Sequence, residues 1–456
     1  MSALPVFDMA MMEKHRFSNA ELKALSVPLF LEQLLVMLVG VADTFMISFA
    51  GDAAVSGVSL VNMFVTFFLY VFTALASGGA VVVSQYIGRK DGESANRTAG
   101  QLLTVSAVFS ALCMLLIILF NRPILRLLFG RVEDDVMTAC VTYQRIMAYS
   151  FLPLGVYNAG AALCRSINRT KITLRISVVS NIINVVGNAI GIFFLQAGVA
   201  GVAWPTFLAR LFSAAAVTWF CAGAKNPVRY AARNVLAWDG RAISRILRVA
   251  VPNSVENGMF QLIKIALSSI TAMFGTAQIA ANGIAQTIWS LAALMVVTMG
   301  PVYITVIGQC MGAGDAEDAD YYFKKLTKLT FTAAVVWNAL ILALTPLIMR
   351  FYPLSDEIVG LVTRLVLIHN VFNATVFPFG GALPNGLRAA GDVRFTMVAG
   401  IASTVLVRLV LSAVFGIWMN MGVVGIAWAM VCDWIVRGVI FVIRYRQGKW
   451  RTMNVI

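Results

Sequence analysis

Charge is what this chain has least of: Asp, Glu, Lys and Arg make up 12% of its 456 residues, while 60% are hydrophobic. With a mean hydropathy of +0.83, that excludes an ordinary soluble domain and identifies an integral membrane protein. Histidine is nearly absent, at two residues. There is no HExxH, no Walker-type loop and no paired catalytic His, so a membrane-embedded enzyme is set aside. The six cysteines are scattered through or beside apolar segments, without the spacing of a metal site or disulfide framework, and read as small core residues. The first twenty residues include Asp8, Glu13, Lys14 and Arg16 but no apolar core or small-residue cleavage site, so no signal peptide is expected before the first span.

What is present is apolar sequence in blocks of about twenty residues or more, the length of membrane helices and not of barrel strands. The blocks fall at about 25–49, 55–86, 99–120, 137–160, 173–195, 199–223, 244–273, 279–309, 327–349, 359–383, 396–417 and 422–443, which predicts twelve spans. The net charge of +14 does not point to nucleic acid, because the Lys and Arg gather in short loops between the blocks. Roughly 25 of the 35 lie on loops and tails that would share one side, including six between Lys225 and Arg248. Both termini are therefore expected to be cytoplasmic in the cell membrane.

The first block carries Pro28, Glu32, Gln33 and Asp43. A carboxylate at membrane depth costs about 2.5–3.5 kcal/mol on insertion scales and usually faces a protein-lined or watery interior. Eleven residues at about 100° each bring Glu32 and Asp43 to one face, roughly 16 Å apart along the axis.

The chain also repeats itself. Shifted by 224 residues, Pro28 and Glu32 meet Pro252 and Glu256, and Gly51 meets Gly275. In the same register Gln85, Gly88 and Asp91 meet Gln309, Gly312 and Asp315, and Gly198–Trp204 meets Gly422–Trp428. A shift of 223 lays Arg165, Lys171 and Thr173 on Arg388, Arg394 and Thr396. Six spans per repeat give two halves of the same orientation, related by an axis along the membrane normal. The expected fold is all-α: twelve transmembrane helices in two pseudo-twofold-related six-helix lobes around a central cleft. The expected division is an N-terminal cytoplasmic tail over 1–24, an N-lobe over 25–223, a basic linker over 224–242, a C-lobe over 243–443 and a C-terminal tail over 444–456.

The runs VADTFMISFAGDAAVSGVSL, QYIGRKDGESANRTAGQ and LRAAGDVRFT, together with the doubled GVxGxAW, resemble the multidrug and toxic compound extrusion (MATE) transporters over nearly the whole chain. The resemblance implies a secondary active antiporter that exports organic, cationic or amphipathic compounds in exchange for protons or sodium ions by rocker-switch alternating access. It also implies a cation site in the N-lobe at Asp43, Asn184, Asn188 and Thr206. At 1.5 Å per residue, Asp43, Asn188 and Thr206 each fall about 10 Å below the outer surface, and Asn184 and Asn188 share a helix face. Many relatives carry an aspartate where this chain has Asn188, and the acids of a C-lobe cation site are missing near Phe260 and Phe377. Both departures favour protons over sodium and the N-lobe over the C-lobe.

Glu32, Gln33, Glu256 and Gln261 are candidates for the cleft, where two anions would attract a cationic guest. Alternatively, each glutamate braces its Pro-kinked helix. Asp433 and Arg437, four apart, read as a neutralising pair, and Arg145, Arg210, Arg408 and His369 as isolated core or snorkelling residues. A lipid-linked precursor flippase of the same superfamily is the alternative function. Expected partners are a small organic substrate and the bilayer, with no cofactor, no nucleic acid and a monomeric state.

Overall fold

The computed structural model describes residues 15–130, 132–350, 355–453 and 455–456. Residues 1–14 of the expected N-terminal tail, with the sequence read there for a signal peptide, lie outside the described residues. Among the described residues every regular element is helical.

The chain forms two compact units, one of Lys23–Ser254 and the other of Val255–Ile456 with the described residues up to Leu22. In chain order the N-terminal helices are α1 Asn19–Ile47, α2 Asp52–Gly88, α3 Gly92–Leu119, α4 Asn121–Phe129, α5 Asp134–Tyr149, α6 Phe151–Ser166, α7 Thr170–Ala189, α8 Ala200–Ala222 and α9 Ala232–Leu236. They are followed by α10 Gly240–Ala272, α11 Thr276–Ala292, α12 Leu294–Gly312, α13 Ala316–Met349 and α14 Asp356–Thr375. The last are α15 Leu383–Ala390, α16 Val393–Ala402, α17 Val410–Ala413 and α18 Gly422–Arg446.

Among the described residues ten helical segments are long and apolar enough to cross a membrane, and α5 with α6, bent by 43° at Ser150, makes an eleventh. The remaining predicted block is α10, whose 33 residues would extend about 50 Å. Its middle carries Asn253, Glu256, Asn257, Gln261 and Lys264, which lower its hydropathy below that of the others.

Local chemistry accounts for the starts and bends of these helices. Ser18 and Glu21 exchange bonds before α1 (Ser18 N–H to Glu21 Oε2, 2.8 Å; Glu21 N–H to Ser18 Oγ, 3.2 Å) and so satisfy two unpaired donors of its first turn. Pro28 removes the helical bond to the Ala24 carbonyl, which instead accepts from Thr170 Oγ at 3.0 Å. Asp91 caps α3 by accepting from the Ser94 N–H at 3.0 Å, and that bond with the Ser94 hydroxyl holds its carboxyl below the usual range. Asp315 caps α13 in the same way through the Asp318 N–H, at 2.8 Å.

The repeat extends to the backbone. Positive φ angles occur in register at Gly51 and Gly275 (97° and 88°), Lys90 and Gly314 (62° and 75°), Asn168 and Gly391 (58° and 114°), Gln196 and Asn420 (49° and 52°), and Gly198 and Gly422 (55° and 58°). Among the described residues Gly448 alone has a positive φ outside these pairs. Turns that L residues rarely adopt thus recur at the same places in both halves. The wide π turn Ile190–Phe194 likewise recurs as Val414–Trp418.

Each unit has its own core. In the first, Val61 and Phe72 of α2 pack with Cys140 and Met147 of α5 and Phe151 of α6. In the second, Ala281, Ala285 and Ala292 of α11 pack with Val362, Leu365 and Val366 of α14 and Val423 of α18. Small residues let helix backbones approach: a Cβ on Gly201 of α8 would stand 2.7 Å from the Gly191 backbone. Five cysteines are buried and Cys432 is half-buried, all as free thiols.

Candidate functional site

Asp43 lies near the end of α1, Asn184 and Asn188 one turn apart on α7, and Thr206 one turn after Val202 on α8. The structure brings all four together. Asn188 Nδ2 donates to Asp43 Oδ1 at 2.7 Å and lies 3.4 Å from Asn184 Oδ1. Asn184 Nδ2 donates to Thr206 Oγ at 3.0 Å, and that hydroxyl donates to the Val202 carbonyl at 2.9 Å. Polar groups of three helices thus converge in one hydrogen-bonded cluster. Asn188 is fully buried, yet its Oδ1 has no hydrogen-bond partner. Buried amide oxygens are rarely left so. It is an acceptor held beside a carboxylate that can itself become a donor when protonated.

Arg210 belongs to the same neighbourhood, although an arginine alone in apolar sequence reads as a core or snorkelling residue. It lies one turn beyond Thr206 on α8, donates from Nη1 to Ser150 Oγ at 2.6 Å, and is within Coulombic range of Asp43 and Tyr143. Tyr143 in turn donates to Asn62 Oδ1 at 3.0 Å. The available signal was its i+4 spacing from Thr206, which places both on one face. The site therefore combines one carboxylate, two carboxamides, a hydroxyl and a guanidinium. Among the described residues no three His, Cys, Asp or Glu side chains gather as a metal site.

The four cleft candidates occupy different surroundings. Glu32 is buried and accepts from Tyr157 OH at 3.1 Å and Thr173 Oγ at 2.8 Å, with Arg165 Nη2 3.8 Å away. Its repeat mate Glu256 pairs with Arg388 Nη2 at 2.6 Å. Each glutamate thus faces, inside its own unit, the arginine that the repeat aligns. Gln33 is half-buried on α1, and Gln261 is buried on α10. Asp433 and Arg437 form the neutralising pair at 3.3 Å, and Ser403 also donates to the Asp433 carboxylate.

Comparison with known proteins gives these positions a context. The MatE family model matches residues 28–190 and again 252–414, two copies offset by the repeat length read from the sequence. The uncharacterized transporter YisQ of Bacillus subtilis is 26% identical over 98% of both chains. The probable multidrug resistance protein NorM of Thermotoga maritima is 24% identical over 96% of this chain and 94% of its own. Among solved structures, an outward-facing multidrug resistance MATE family transporter of the MOP superfamily superposes with a TM-score of 0.88 at 19% identity, covering 94% of this chain and 95% of its own. A MOP superfamily transporter from Pyrococcus furiosus also reaches 0.88 at 19% identity, over 95% and 96% of the two chains. With both halves matched by one family model and the fold shared at full length, this chain belongs to the MatE family of multi-pass membrane transporters.

Proposed function

We propose that this protein is a secondary active exporter of organic compounds, driven by inward movement of protons through Asp43. The observation that carries the reading is the hydrogen-bonded chain Asp43–Asn188–Asn184–Thr206 with an unpartnered Asn188 oxygen. Ionised, Asp43 accepts from Asn188. Protonated, it supplies the O–H that the orphaned oxygen lacks, once the Asn188 amide turns to meet it. A single proton thereby exchanges one hydrogen-bond arrangement of α1, α7 and α8 for another, which is the local event that an alternating-access cycle needs.

Sodium is the poorer fit. It requires several oxygen ligands and a compensating charge, whereas this site has one carboxylate, and Arg210 stands within Coulombic range of it. The names of the relatives support efflux of drug-like compounds as the task. The basic loops support a cell-membrane location with both termini cytoplasmic.

The test is efflux of fluorescent organic dyes, one cationic and one anionic, from proteoliposomes under separately imposed proton and sodium gradients. Wild-type protein should respond to the proton gradient, and Asp43→Asn should lose the gradient-driven component. Full gradient-driven transport by Asp43→Asn would overturn the mechanism, and a response to sodium alone would reassign the ion.

A further inference from the structure

The interior of the C-terminal unit carries an excess of positive charge that the Asp43 site, with its carboxylate and the Arg210 guanidinium, does not. Arg408 is 4% exposed and lies on the π turn Ser403–Leu409. Its guanidinium stacks over the Phe260 ring at 5.4 Å and donates to Met430 Sδ at 3.0 Å. Neither partner carries charge. Lys264 of α10 is half-buried and within Coulombic range of Arg408. Among the described residues neither cation makes a salt bridge. Asp433, the acid within range of Arg408, is already held by Arg437 and Ser403.

Unfilled polar atoms lie in the same interior. Arg408 Nε has no partner, nor do both ring nitrogens of His369, which is 1% exposed and within range of Arg408. Neighbouring Asn370, 2% exposed, leaves both amide atoms unpaired. Native proteins seldom bury polar atoms unpaired unless something else meets them.

This arrangement is particular to the second half. At the 224-residue shift Arg408 corresponds to Asn184, and Lys264 to Gly40. The wide turn Ser403–Leu409 corresponds to 179–185, which is regular α-helix within α7. Such turns re-aim side chains and are frequent at functional sites.

We infer that the Arg408–Lys264 cluster, with His369 and Phe260, is a binding site for an amphipathic organic anion. Its carboxylate, sulfonate or phosphate would meet the guanidinium and ammonium groups, and its apolar part would lie against the Phe260 ring. Two neighbouring cations whose nearest acid, Asp433, is already paired with Arg437 repel each other, and an anion removes that repulsion while supplying acceptors for Arg408 Nε and the imidazole N–H. The site rests on the exporter reading only for its purpose, since binding requires no ion gradient.

The test is equilibrium dialysis of the purified full chain in phosphatidylcholine nanodiscs. The probes are 2-naphthalenesulfonate and, as a cation of the same ring system, (2-naphthyl)trimethylammonium. The sulfonate should bind saturably. Its Kd should rise at least about tenfold in Arg408→Gln and in Lys264→Gln, and rise less in Arg408→Lys, which keeps the charge but loses the stacked planar fork, than in Arg408→Gln. Binding of the ammonium probe should be unaffected by any of the three. Equal binding of the two probes, or unchanged sulfonate affinity in either Gln variant, would overturn the assignment. Lys264→Gln alters a half-buried side chain and decides the matter if Arg408→Gln does not fold. Added phosphatidylglycerol distinguishes the source of the anion: competition identifies a lipid headgroup and its absence a soluble amphiphile, either of which supports the site. Binding without gradient-driven transport would defeat the exporter reading alone, and transport without sulfonate binding would defeat this one alone.

Discussion

At the scale of single residues, the N-terminal site turns on what stands near Asp43. Arg210 contributes a fixed positive charge to a place where a transported cation would otherwise be the only one. Replacing it with Gln removes that competition, so sodium-driven dye efflux should appear or increase in Arg210→Gln. The same sodium response in Arg210→Gln as in wild type would show that Arg210 does not set the choice of ion. Asp43, Asn184, Asn188 and Thr206 were legible in the sequence because a polar residue in a membrane helix is conspicuous and family resemblance supplies the grouping. Their hydrogen-bond order was not, because depth along a helix fixes height but not azimuth. Arg210 was overlooked because an isolated arginine is more often explained by packing or snorkelling. Arg165 and Arg388 were aligned with each other in the repeat, yet nothing in the spacing joined them to Glu32 and Glu256. That pairing spans 133 and 132 positions of chain and depends on tertiary packing.

At the scale of elements, prolines and wide turns shape helices that hydropathy alone would draw straight. In α1 the Ala24 carbonyl freed by Pro28 is met by the first residue of α7, so Thr170 ties two helices where the proline breaks the hydrogen-bond ladder. Thr170→Val should cost about 1 kcal/mol, read as a lowered Tm in detergent, while Thr170→Ser should stay near wild type. Equal stability of the Val and wild-type proteins would mean that the carbonyl finds another donor. Helix existence was readable from hydrophobic blocks, but the π turns were not, since one extra residue per turn leaves an apolar run looking the same. The positive φ angles at Lys90, Asn168, Gln196 and Asn420 were hidden for a related reason: none is a glycine, and they become intelligible only in register with their repeat mates.

At the scale of the whole molecule, one backbone plan is used twice with different chemistry placed in it. The shared parts are the capping aspartates, the positive-φ turns and the Glu–Arg pairs. Breaking one member of a buried pair leaves a lone charge, at a cost of about 3–5 kcal/mol. Arg388 and Glu256 have side chains 11% and 13% exposed, so Glu256→Ala should destabilise markedly, and Glu256→Gln combined with Arg388→Met should recover much of the loss. The measure is thermal unfolding of the wild type and these two variants. A double variant no more stable than Glu256→Ala would assign the damage to packing. The equivalent substitutions at Glu32 and Arg165 should behave alike if the two pairs serve the same bracing purpose. The unshared parts are an acid with carboxamides in one half and a guanidinium with an ammonium in the other, and these carry the two ligand proposals.

The division of the chain at Leu22/Lys23 and Ser254/Val255 has a consequence for biosynthesis. His15 rests on Tyr321 with ring centroids 3.7 Å apart and bonds Asp318 at 2.8 Å, while the Phe17 backbone is held by Tyr322. The docking surface of these residues does not exist until some three hundred more have been added after them. The unit of Lys23–Ser254, by contrast, has all its sequence once the first part of α10 has emerged. The opening segment must therefore wait through the synthesis of a whole neighbouring unit, and a nascent chain arrested before α13 would hold it without its anchor.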